Sequence, residues 1–465
     1  MKVEQIFTKC LSQMTYYIES KGEAAVIDPL RDPSPYLEKL SEDKAELKYI
    51  FLTHFHADFV AGHVDLSNET GAVIVYGPNA NTSYDFHEGK DLEEFCIGDV
   101  KLKLLHTPGH TMESSSYLLI DKDKKTPYVF TGDCLFIGEV GRPDLAVKNG
   151  LTQRELAGYL FDSLREKIMT LSDDTVVYPA HGAGSACGKN ISKETYDTIK
   201  NQKETNYALK QDLSKEEFIQ KVTENIPPPP DYFKHNVDMN KGINDQYTDI
   251  IQRGTRALSL EEFKSLSERE DVLVIDTVSK EDYTKNGSIP GSWYFGIDGT
   301  FAPWIGTLIP NIKQKIVFLA EGGREREVVM RLSRVGYDNC IGYLQGGINT
   351  WIENGDKVEK IESISAEEFV EKLRDKKVEN VIDVRKEKEY QSLHISNSKN
   401  LPLDFIHSNF AQINKKRKNF VHCKGGYRSL IACSILKSMG IDNVVDIKGG
   451  FDKLKSIPNV SLSKV

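Results

Sequence analysis

The chain has 465 residues, of which 28% are charged and 39% hydrophobic, and its formal net charge is −9. This length allows two to four domains with cores of their own, and the acidic balance argues against a nucleic-acid-binding surface, which needs a basic excess. No stretch is apolar enough for a signal core or a membrane span. The seven cysteines are odd in number and dispersed, a pattern typical of reduced thiols. We therefore expect a cytoplasmic, multi-domain protein that binds neither nucleic acid nor membrane.

The first half of the chain predicts strands that alternate with helices and lead into polar side chains. Two strands are predicted around Lys21-Gly22, followed by a helix over 34–40, and the apolar run 49–52 then leads into a cluster of three potential metal ligands. Such a cluster is costly at the end of a strand unless something binds it. The cluster consists of His54, His56 and Asp58, and the later candidates, each after a predicted strand, are His110, Asp133 and His181. The alternation would gather all six at one edge of a sheet.

Four short motifs occur in a fixed order along this half. They are His54-x-His56-x-Asp58, Thr107-Pro108-Gly109-His110, Thr131-Gly132-Asp133 and Pro179-Ala180-His181. Together they resemble the metallo-β-lactamase superfamily over about the first 230 residues. The resemblance implies an αββα sandwich with a metal site along one edge of its sheets. Alone, His110 or His181 would be typical of a hydrogen-bonded structural histidine.

One position separates branches of that superfamily. Hydrolytic members usually carry a histidine after the aspartate and bind two metals, whereas this chain has Phe59, which cannot ligate a metal. A single metal is therefore favoured, although some dioxygenases retain the histidine. Similarity to the persulfide dioxygenase branch then implies one Fe(II) per chain, held by His54, His110 and Asp133 as in non-haem iron oxygenases. The remaining three, His56, Asp58 and His181, would orient those ligands or bind water.

Three further residues of this half carry both a functional and a plain interpretation. Arg142 lies in a loop that resembles the family's substrate loop and would pair with a carboxylate or phosphate of a thiol carrier, or it is a surface arginine in a turn. Tyr178 resembles the family's active-site tyrosine and would donate to a bound persulfide, or it packs in its strand. Cys187, in a glycine-rich loop, is an accessory thiol or a small space-filling residue. The proline run 227–230 either braces the first domain or is a bare spacer.

The second half is a repeat with a period of about a hundred residues. Residues 259–263 recur as 365–369, 274–276 as 381–383, 321–323 as 424–426, and 345–347 as 448–450. This period is the size of a domain, and each copy predicts an α/β pattern with a mostly parallel sheet. The predicted organisation is thus α/β and α+β multi-domain, with a first domain over 1–238, a polar linker over 239–256, and two α/β domains over 257–357 and 358–465.

The last copy places Cys423 after a strand and just before a helix, where backbone N–H groups and the helix dipole stabilise a thiolate. This stretch resembles the rhodanese active-site loop. The resemblance makes Cys423 the sulfur-accepting nucleophile and Arg428 a support for the loop or for an anionic donor, and Asp383 and Arg385 match the family's supporting Asp-x-Arg element. Protein tyrosine phosphatases share a Cys-x5-Arg loop but usually have a different pattern and an acid loop that is not found here.

The middle copy departs from that pattern at each chemical position. Ala320 stands where Cys423 stands, Glu325 where Arg428 stands, and Val278 where Arg385 stands. Without a thiol this copy cannot carry sulfur by the same mechanism, so we expect an inactive module retained for docking or spacing.

The whole chain resembles persulfide dioxygenase–rhodanese fusions of the CstB type. This resemblance implies O2-dependent oxidation of a small-molecule thiol persulfide to sulfite, sulfur transfer through Cys423 with thiosulfate as product, a role in sulfide detoxification, and a homo-oligomer. The first alternative is a dinuclear zinc thioester hydrolase of the glyoxalase II kind. The second is a non-enzymatic persulfide sensor or sulfur-carrier scaffold that uses Cys423 and Cys187.

Overall fold

The structure is a computed structural model that describes residues 1–121, 127–147, 150–375, 377–458 and 460–464. Val465, the last residue of the predicted domains, lies outside the described residues. The chain forms two compact units, the first comprising 1–248 with 333–336 and the second 249–332 with the chain from 337 onward. Across the described ranges, no helix combines the length and the apolar character that a membrane span requires.

The first unit contains two six-stranded β-sheets. The first sheet has the spatial order β1 (Lys2–Thr8), β2 (Gln13–Ser20), β3 (Glu23–Ile27), β4 (Glu46–Phe51), β5 (Val73–Tyr76) and β6 (His87–Glu88). The second sheet has the order β12-β11-β10-β9-β8-β7, and its strands are β7 (Glu94–Ile97), β8 (Val100–His106), β9 (Ser115–Asp121), β10 (Tyr128–Gly132), β11 (Val176–Pro179) and β12 (Asp197–Thr198). Strands β3 to β6 run parallel, as do β10 and β11, and the remaining neighbours are antiparallel.

The helices of the first unit are α1 (Ser34–Asp43), α2 (His63–Thr70), α3 (Gln153–Ser163), α4 (Ile199–Thr205), α5 (Lys215–Thr223) and α6 (Tyr232–Lys241), with a π-helical turn over Leu164–Ile168 and a 3-10 turn over Tyr207–Leu209. Helix α7 (Tyr247–Gly254) begins in the first unit and continues in the second. Thr152 and Ser214 begin α3 and α5 with capping boxes, in which each hydroxyl accepts the N–H of a glutamate three residues on. Such reciprocal bonds satisfy N–H groups that a helix start leaves without partners.

The two sheets of the first unit face each other across an apolar core. Tyr16 and Phe51 of the first sheet pack with Leu104, Tyr117 and Phe130 of the second. The other face of the second sheet packs against α3 and α5 through a second buried cluster, and α2 lies over β4 and β5. This is an αββα sandwich, so the predicted fold of the first half is confirmed. The layers are held by burial of alternate strand residues on both inner faces.

The second unit contains two five-stranded parallel sheets with the same topology. The first has the order β13-β17-β16-β14-β15, and its strands are β13 (Ala257–Leu258), β14 (Val272–Asp276), β15 (Trp293–Tyr294), β16 (Lys315–Leu319) and β17 (Cys340–Leu344). The other has the order β18-β23-β22-β19-β21, from β18 (Glu362–Ile364), β19 (Asn380–Asp383), β21 (Lys399–Asn400), β22 (Asn419–His422) and β23 (Val444–Ile447). The antiparallel pair β20 (His394–Ile395) and β24 (Leu462–Ser463) completes the set. The predicted repeat is confirmed.

Helices connect these parallel strands. They are α8 (Leu260–Ser267), α9 (Lys280–Asn286), α10 (Phe301–Leu308), α11 (Glu325–Ser333), α12 (Gly347–Glu353), α13 (Ala366–Arg374), α14 (Glu387–Ser392), α15 (Ile406–Asn409), α16 (Tyr427–Ser438) and α17 (Gly450–Leu454), with 3-10 turns over Leu403–Phe405 and Phe410–Gln412. The recurring motif at 259–263 and 365–369 is a helix start. The hydroxyls of Ser259 and Ser365 accept hydrogen bonds from the backbone N–H groups of Glu262 and Glu368, as N-cap residues do.

Two segments differ from the sequence predictions. The stretch 239–256, predicted as a polar linker, contains the end of α6 and the whole of α7, and Asn240, Tyr247 and Ile250 are buried there. Tyr247, Ile250 and Ile251 are buried at helical spacing, but the polar residues around them give the stretch the composition of a linker. The helix that the sequence analysis expects after the Cys423 loop, from about residue 430 to 439, is α16 and begins earlier, at Tyr427, since Gly426, with φ 98°, turns the chain directly from the loop into the helix.

Candidate active sites

The structure brings His54, His110 and Asp133 together at one edge of the first unit. Their ligand atoms lie within 4.8 Å of one another, with His110 Nε2 3.4 Å and His54 Nε2 3.9 Å from Asp133 Oδ2. His54 follows β4 and Asp133 follows β10, so the ends of strands from both sheets set their positions. All three side chains are buried. Two imidazoles and one carboxylate thus converge on one point, as the sequence predicts.

Three histidines of this edge, His54, His110 and His181, are oriented by a contact of their second ring nitrogen. His110 Nδ1 lies 2.9 Å from the Arg142 carbonyl and His181 Nδ1 lies 3.3 Å from the Ser12 carbonyl. A carbonyl only accepts, so both Nδ1 atoms donate and each Nε2 presents a lone pair to the cluster. Thr53 does the same for His54, because its hydroxyl donates to Asp28 and therefore accepts from His54 Nδ1 at 3.0 Å.

The buried acceptors of this edge call for a cation. Both carboxylate oxygens of Asp133, Asp58 Oδ1 and His181 Nε2 are buried with no hydrogen-bond donor among the described residues. Leaving an ionised carboxylate buried and unpaired costs several kcal/mol or more. Burial, with the neighbouring imidazoles, lowers the pKa of His54 well below its ordinary value, so this ring is neutral and ready to ligate. The donor set therefore fits a bound metal ion, held by His54, His110 and Asp133.

A second group of candidate ligands adjoins the first. The ligand atoms of His56, Asp58 and His181 also lie within 4.8 Å of one another, and His181 Nε2 is 3.5 Å from both Asp58 Oδ2 and Asp133 Oδ1. Asp133 thus points one oxygen toward each group. The ring of Phe59 stacks on His56 at a centroid distance of 4.3 Å. The arrangement can therefore support the ligands of one ion or, with three protein groups and a shared carboxylate, hold a second.

Three residues outside the predicted site hold the loop that follows β4. Asp28 accepts hydrogen bonds from the Thr53 backbone N–H and hydroxyl, each at 2.8 Å, and Glu113 accepts from the Phe55 N–H at 3.0 Å. Asn240, in α6, donates from Nδ2 to two carbonyls of the loop, those of residues 56 and 59, and accepts from the N–H of residue 61, all at 2.8 Å. Such partners fix ligand orientation. Of the three, only Asp28 has a signal in the sequence, because it is a carboxylate that directly follows a predicted strand.

The structure gives Arg142 internal partners. Its guanidinium forms a bidentate pair with Asp144, at 2.6 and 2.7 Å, and also donates to the carbonyls of Ala186 and Pro227. The predicted contact with a substrate stays a prediction, since the side chain is buried and its observed contacts tie three loops together. Through its own carbonyl Arg142 also holds His110. The hydrogen bond to Pro227 favours the proline run as a brace of the first unit over the bare spacer.

Tyr178 and Cys187 lie in different surroundings. The ring of Tyr178 stacks on Phe130 at a centroid distance of 5.6 Å and packs against the inter-sheet core, which favours the packing role of the two that the sequence leaves open. Cys187 is buried, and its sulfur lies within 4.8 Å of ligand atoms of Asp133 and His181. Burial, with the nearby carboxylates, raises the pKa of Cys187 well above its ordinary value. Its thiol is therefore protonated at neutral pH.

A cavity of about 550 Å³ opens beside His110. Phe55 and Met112 line it on the side of the sheets, and Pro229, Phe233 and Lys241 line it on the side of α6. Lys241 Nζ lies 4.7 Å from the centroid of the Phe55 ring. A cavity lined by apolar side chains together with several charged ones is typical of a site for a small molecule.

The second unit carries its own candidate site around Cys423. This residue follows β22 and is buried, and the Gly426 N–H donates to its sulfur at 3.1 Å. Two backbone N–H groups of α17 donate to carbonyls of the loop. Phe451 N–H lies 2.7 Å from the Cys423 carbonyl and Asp452 N–H lies 3.0 Å from the Lys424 carbonyl. A Cβ on Gly450 would lie 2.4 Å from that carbonyl oxygen, so the recurring Gly-Gly pair permits this approach. The loop therefore presents a thiol to oriented N–H donors at the start of a helix.

The predicted partners of Cys423 are present but act at a distance from its sulfur. Arg385 forms a buried bidentate pair with Asp383, at 2.6 and 3.0 Å, and its guanidinium lies 3.9 Å from the Phe451 ring. Arg428 pairs with Glu389 through two bonds of 2.7 and 2.9 Å, and no sequence pattern singles out Glu389 as its partner. The supporting roles predicted for Asp383, Arg385 and Arg428 stay predictions, and the structure adds the carboxylate pairs that hold both arginines.

The middle copy keeps the loop conformation and lacks the chemistry. Gly323 and Gly426 occupy equivalent positions with φ 88° and 98°, while Ala320 replaces the thiol. Asp276, the counterpart of Asp383, has Val278 two residues on and no arginine, and burial raises its pKa to about 6. Arg324 is held by Asp298 and Glu327 at 2.9 and 2.8 Å.

Comparison with known proteins separates the two halves of the chain. The metallo-beta-lactamase superfamily model matches residues 8–181 and the rhodanese-like domain model matches residues 259–354 and 365–457. A probable hydroxyacylglutathione hydrolase (glo2) of Schizosaccharomyces pombe is 35% identical over 160 residues, which are 34% of this chain and 58% of that protein. The cytoplasmic hydroxyacylglutathione hydrolase of Arabidopsis thaliana is 29% identical over 37% of this chain and 65% of its own. The chain thus spans about three fifths of these curated relatives.

Solved structures extend the likeness. The metallo-beta-lactamase from Staphylococcus aureus subsp. aureus COL is 30% identical, with a TM-score of 0.64 over 74% of this chain and 98% of that one. ETHE1 from Myxococcus xanthus is 31% identical, with a TM-score of 0.45 over 52% of this chain and 98% of that one. The chain therefore belongs to the metallo-beta-lactamase superfamily, and two rhodanese-like domains follow its metallo-beta-lactamase domain.

Proposed function

We propose that the first domain oxidises low-molecular-weight thiol persulfides with O2 and that Cys423 transfers a second persulfide sulfur to the sulfite produced. The observation that carries this proposal is the convergence of His54, His110 and Asp133, within 4.8 Å of one another, on one buried point. Two imidazoles and one carboxylate are the ligand set of non-haem Fe(II) oxygenases. We expect one Fe(II) per chain, in a protein of the cytoplasm.

The chain's own residues prepare this site in three ways. The carbonyl of Arg142 and the Thr53 hydroxyl hold the imidazoles of His110 and His54 with Nε2 inward. The cavity beside His110 accommodates the carrier part of the thiol, and its apolar lining limits access of water. When bound, iron would supply open coordination positions for sulfur and oxygen, while the electrons that reduce O2 come from the outer sulfur of the persulfide. The balance is R–S–SH + O2 + H2O → R–SH + SO3²⁻ + 2H⁺.

Sulfur transfer follows from the geometry at Cys423. Its thiolate attacks the outer sulfur of R–S–SH. A new S–S bond forms between Cys423 and that sulfur, the S–S bond of the donor breaks, and R–SH leaves with the proton. The Gly426 N–H, 3.1 Å from the sulfur, stabilises the anion at each stage. Sulfite then attacks the outer sulfur of the cysteine persulfide, which releases thiosulfate and regenerates the thiolate. Sulfite is the product of the first reaction and the sulfur acceptor in the second. Because both sites lie on one chain, the local concentration of sulfite at Cys423 is raised.

The test uses the full chain, reconstituted with Fe(II) and supplied with the persulfides of glutathione, coenzyme A or cysteine. We expect O2 uptake with at least one of them, and thiosulfate as product. Cys423→Ser should retain O2 uptake and release sulfite without thiosulfate, whereas Cys433→Ser, whose thiol lies in the core of α16, serves as the matched control. An iron-loaded protein that consumes no O2 with any persulfide would refute the dioxygenase.

A second candidate is a dinuclear zinc thioester hydrolase of the glyoxalase II kind. Two observations favour it: the group of His56, Asp58 and His181, to which Asp133 turns an oxygen, and the likeness to hydroxyacylglutathione hydrolases. Metal analysis after purification, with a hydroxyacylglutathione thioester as substrate, separates the two. Two zinc ions per chain with thioester cleavage would establish the hydrolase, and a metal-free, inactive first domain would leave the sulfur-carrier scaffold.

A further inference from the structure

One face of α16, the helix that begins at the Cys423 loop, is fixed to the middle rhodanese-like domain. Tyr427, Ser434 and Ser438 are separated by seven and eleven residues, which at 100° per residue places them within about 20° of one line along the helix. The Trp293 indole N–H donates to Ser438 Oγ at 2.8 Å, and the Tyr294 backbone N–H donates to Ser434 Oγ at 2.9 Å. Strand β15 of the middle domain thus holds this helix at two successive turns.

The third point of attachment is Tyr427, which directly follows the loop. Its hydroxyl donates to the Gly296 carbonyl of the middle domain at 2.8 Å. Its ring lies flat on Gly299, where a Cβ would stand 2.3 Å from Tyr427 Cζ and 2.5 and 2.6 Å from the two ring atoms beside it. Only glycine at 299 leaves room for the ring, because contacts below 3.0 Å force one of the two groups to move. Gly299 is therefore the seat of the tyrosine.

The attachment reaches the reactive sulfur through one peptide unit. Gly426, the residue before Tyr427, donates its N–H to Cys423 Sγ at 3.1 Å. A displacement of Tyr427 would shift this N–H, which stabilises the thiolate and any sulfur anion bound to it. Arg428, the residue after Tyr427, would move as well, and it is held by Glu389. The position of Tyr427 thus affects the Gly426 N–H before it and the Arg428 side chain after it.

We propose that the middle domain, which has no thiol at the matching position, is the support that holds the Cys423 loop in its reactive form, with Tyr427 as the positioning residue and Gly299 as its seat. The proposal gives the inactive copy a function in the sulfur transfer of its neighbour. It rests on the proposed role of Cys423 as the sulfur-accepting nucleophile.

Four variants of the full chain test it. Tyr427→Phe removes the hydrogen bond to Gly296 and keeps the ring, and Gly299→Ala, in the other domain, displaces the ring without touching the loop. The matched controls are Gly322→Ala, where a Cβ meets nothing within 4 Å, and Tyr343→Phe in β17. The readouts are the rate of Cys423 alkylation by iodoacetamide as a function of pH, followed by peptide mass spectrometry, and the kcat and KM of sulfur transfer to sulfite.

We expect both test variants to move the midpoint of the alkylation profile upward by about one pH unit and to lower kcat of sulfur transfer about tenfold, with KM and O2 uptake unchanged. A merely structural role would lower the yield of folded protein and leave the pH profile in place. Should Gly299→Ala fail to fold, Tyr427→Phe decides. Test variants that alkylate and transfer like the controls would overturn the proposal. A wild-type protein that neither alkylates at Cys423 nor transfers sulfur would overturn the proposed function instead.

Discussion

Asp276→Asn should stabilise the middle domain above pH 6 and give no such gain near pH 4. The carboxyl of Asp276 is buried and accepts from the Ser288 hydroxyl at 2.5 Å and the Val278 N–H at 3.2 Å. Its counterpart Asp383 has the additional charge of Arg385, whereas Val278 offers none. Burial raises the pKa of Asp276 to about 6, against an ordinary value of 3.8.

The sign and size of the effect follow from that shift. Between pH 4 and 6 the unfolded chain has released this proton and the folded chain retains it, so stability falls as the pH rises through this window and stays low above it. A pKa difference of about 2 between the folded and the unfolded chain corresponds to about 3 kcal/mol, at about 1.4 kcal/mol per pH unit. Asparagine keeps an acceptor for Ser288 and adds an N–H₂ group that needs partners, so we expect a gain of about 1–3 kcal/mol at pH 8.

Urea unfolding followed by tryptophan fluorescence measures this change. All three tryptophans of the chain, at 293, 304 and 351, lie in the middle copy, so their emission reports on the domain that is altered. Asp383→Asn, followed by circular dichroism, is the comparison in the other copy: it should destabilise by about 3–5 kcal/mol, because Arg385 loses its buried partner. An Asp276→Asn variant with the same stability difference from wild type at pH 4 and pH 8 would refute the reasoning.

Three other changes have defined outcomes. Asn240→Ala should weaken metal binding about 10–100-fold, as loss of groups that orient ligands does, measured by competition with a metal chelator; an unchanged affinity would contradict the bracing role of α6. Arg142→Lys cannot reproduce the two-bond pair with Asp144, and we expect a loss of about 2–4 kcal/mol in thermal unfolding; a change in KM for persulfide alone would instead restore the predicted substrate contact. Glu389→Gln should lower sulfur transfer about tenfold while O2 uptake persists, because Arg428 loses its charged partner; equal transfer rates would refute its positioning role.

The candidate metal cluster could be predicted from the sequence because its chemistry is local. Each candidate ligand follows a run that reads as a buried strand, and strand ends on one side of a sheet gather in space. The structure brings His54, His110 and Asp133 together for this reason. The repeat could also be predicted, because its Ser-x-x-Glu motifs begin helices and its Gly-Gly motifs form tight turns. Both structures depend on residues close together in the sequence.

The remaining parts of the sites depend on contacts between distant residues, which no local pattern announces. Asn240 bonds a loop more than 180 residues earlier, yet it lies in a polar stretch that composition marks as a linker. The partners of Arg142 include main-chain carbonyls of Ala186 and Pro227, and a carbonyl has no sequence signature. Glu389 is one of many surface carboxylates by its local pattern, and only the fold places it against Arg428.

The hydrogen bonds of Asn240 also make the loop after β4 depend on a segment that is translated much later. The family match ends at residue 181, by which point the six predicted histidine and aspartate ligands have been made. The loop that carries His56 and Asp58 nevertheless lacks three of its hydrogen bonds until residue 240 has left the ribosome. A nascent chain that has completed only its ligands thus holds this loop through Asp28 and Glu113, without the bonds that α6 adds later.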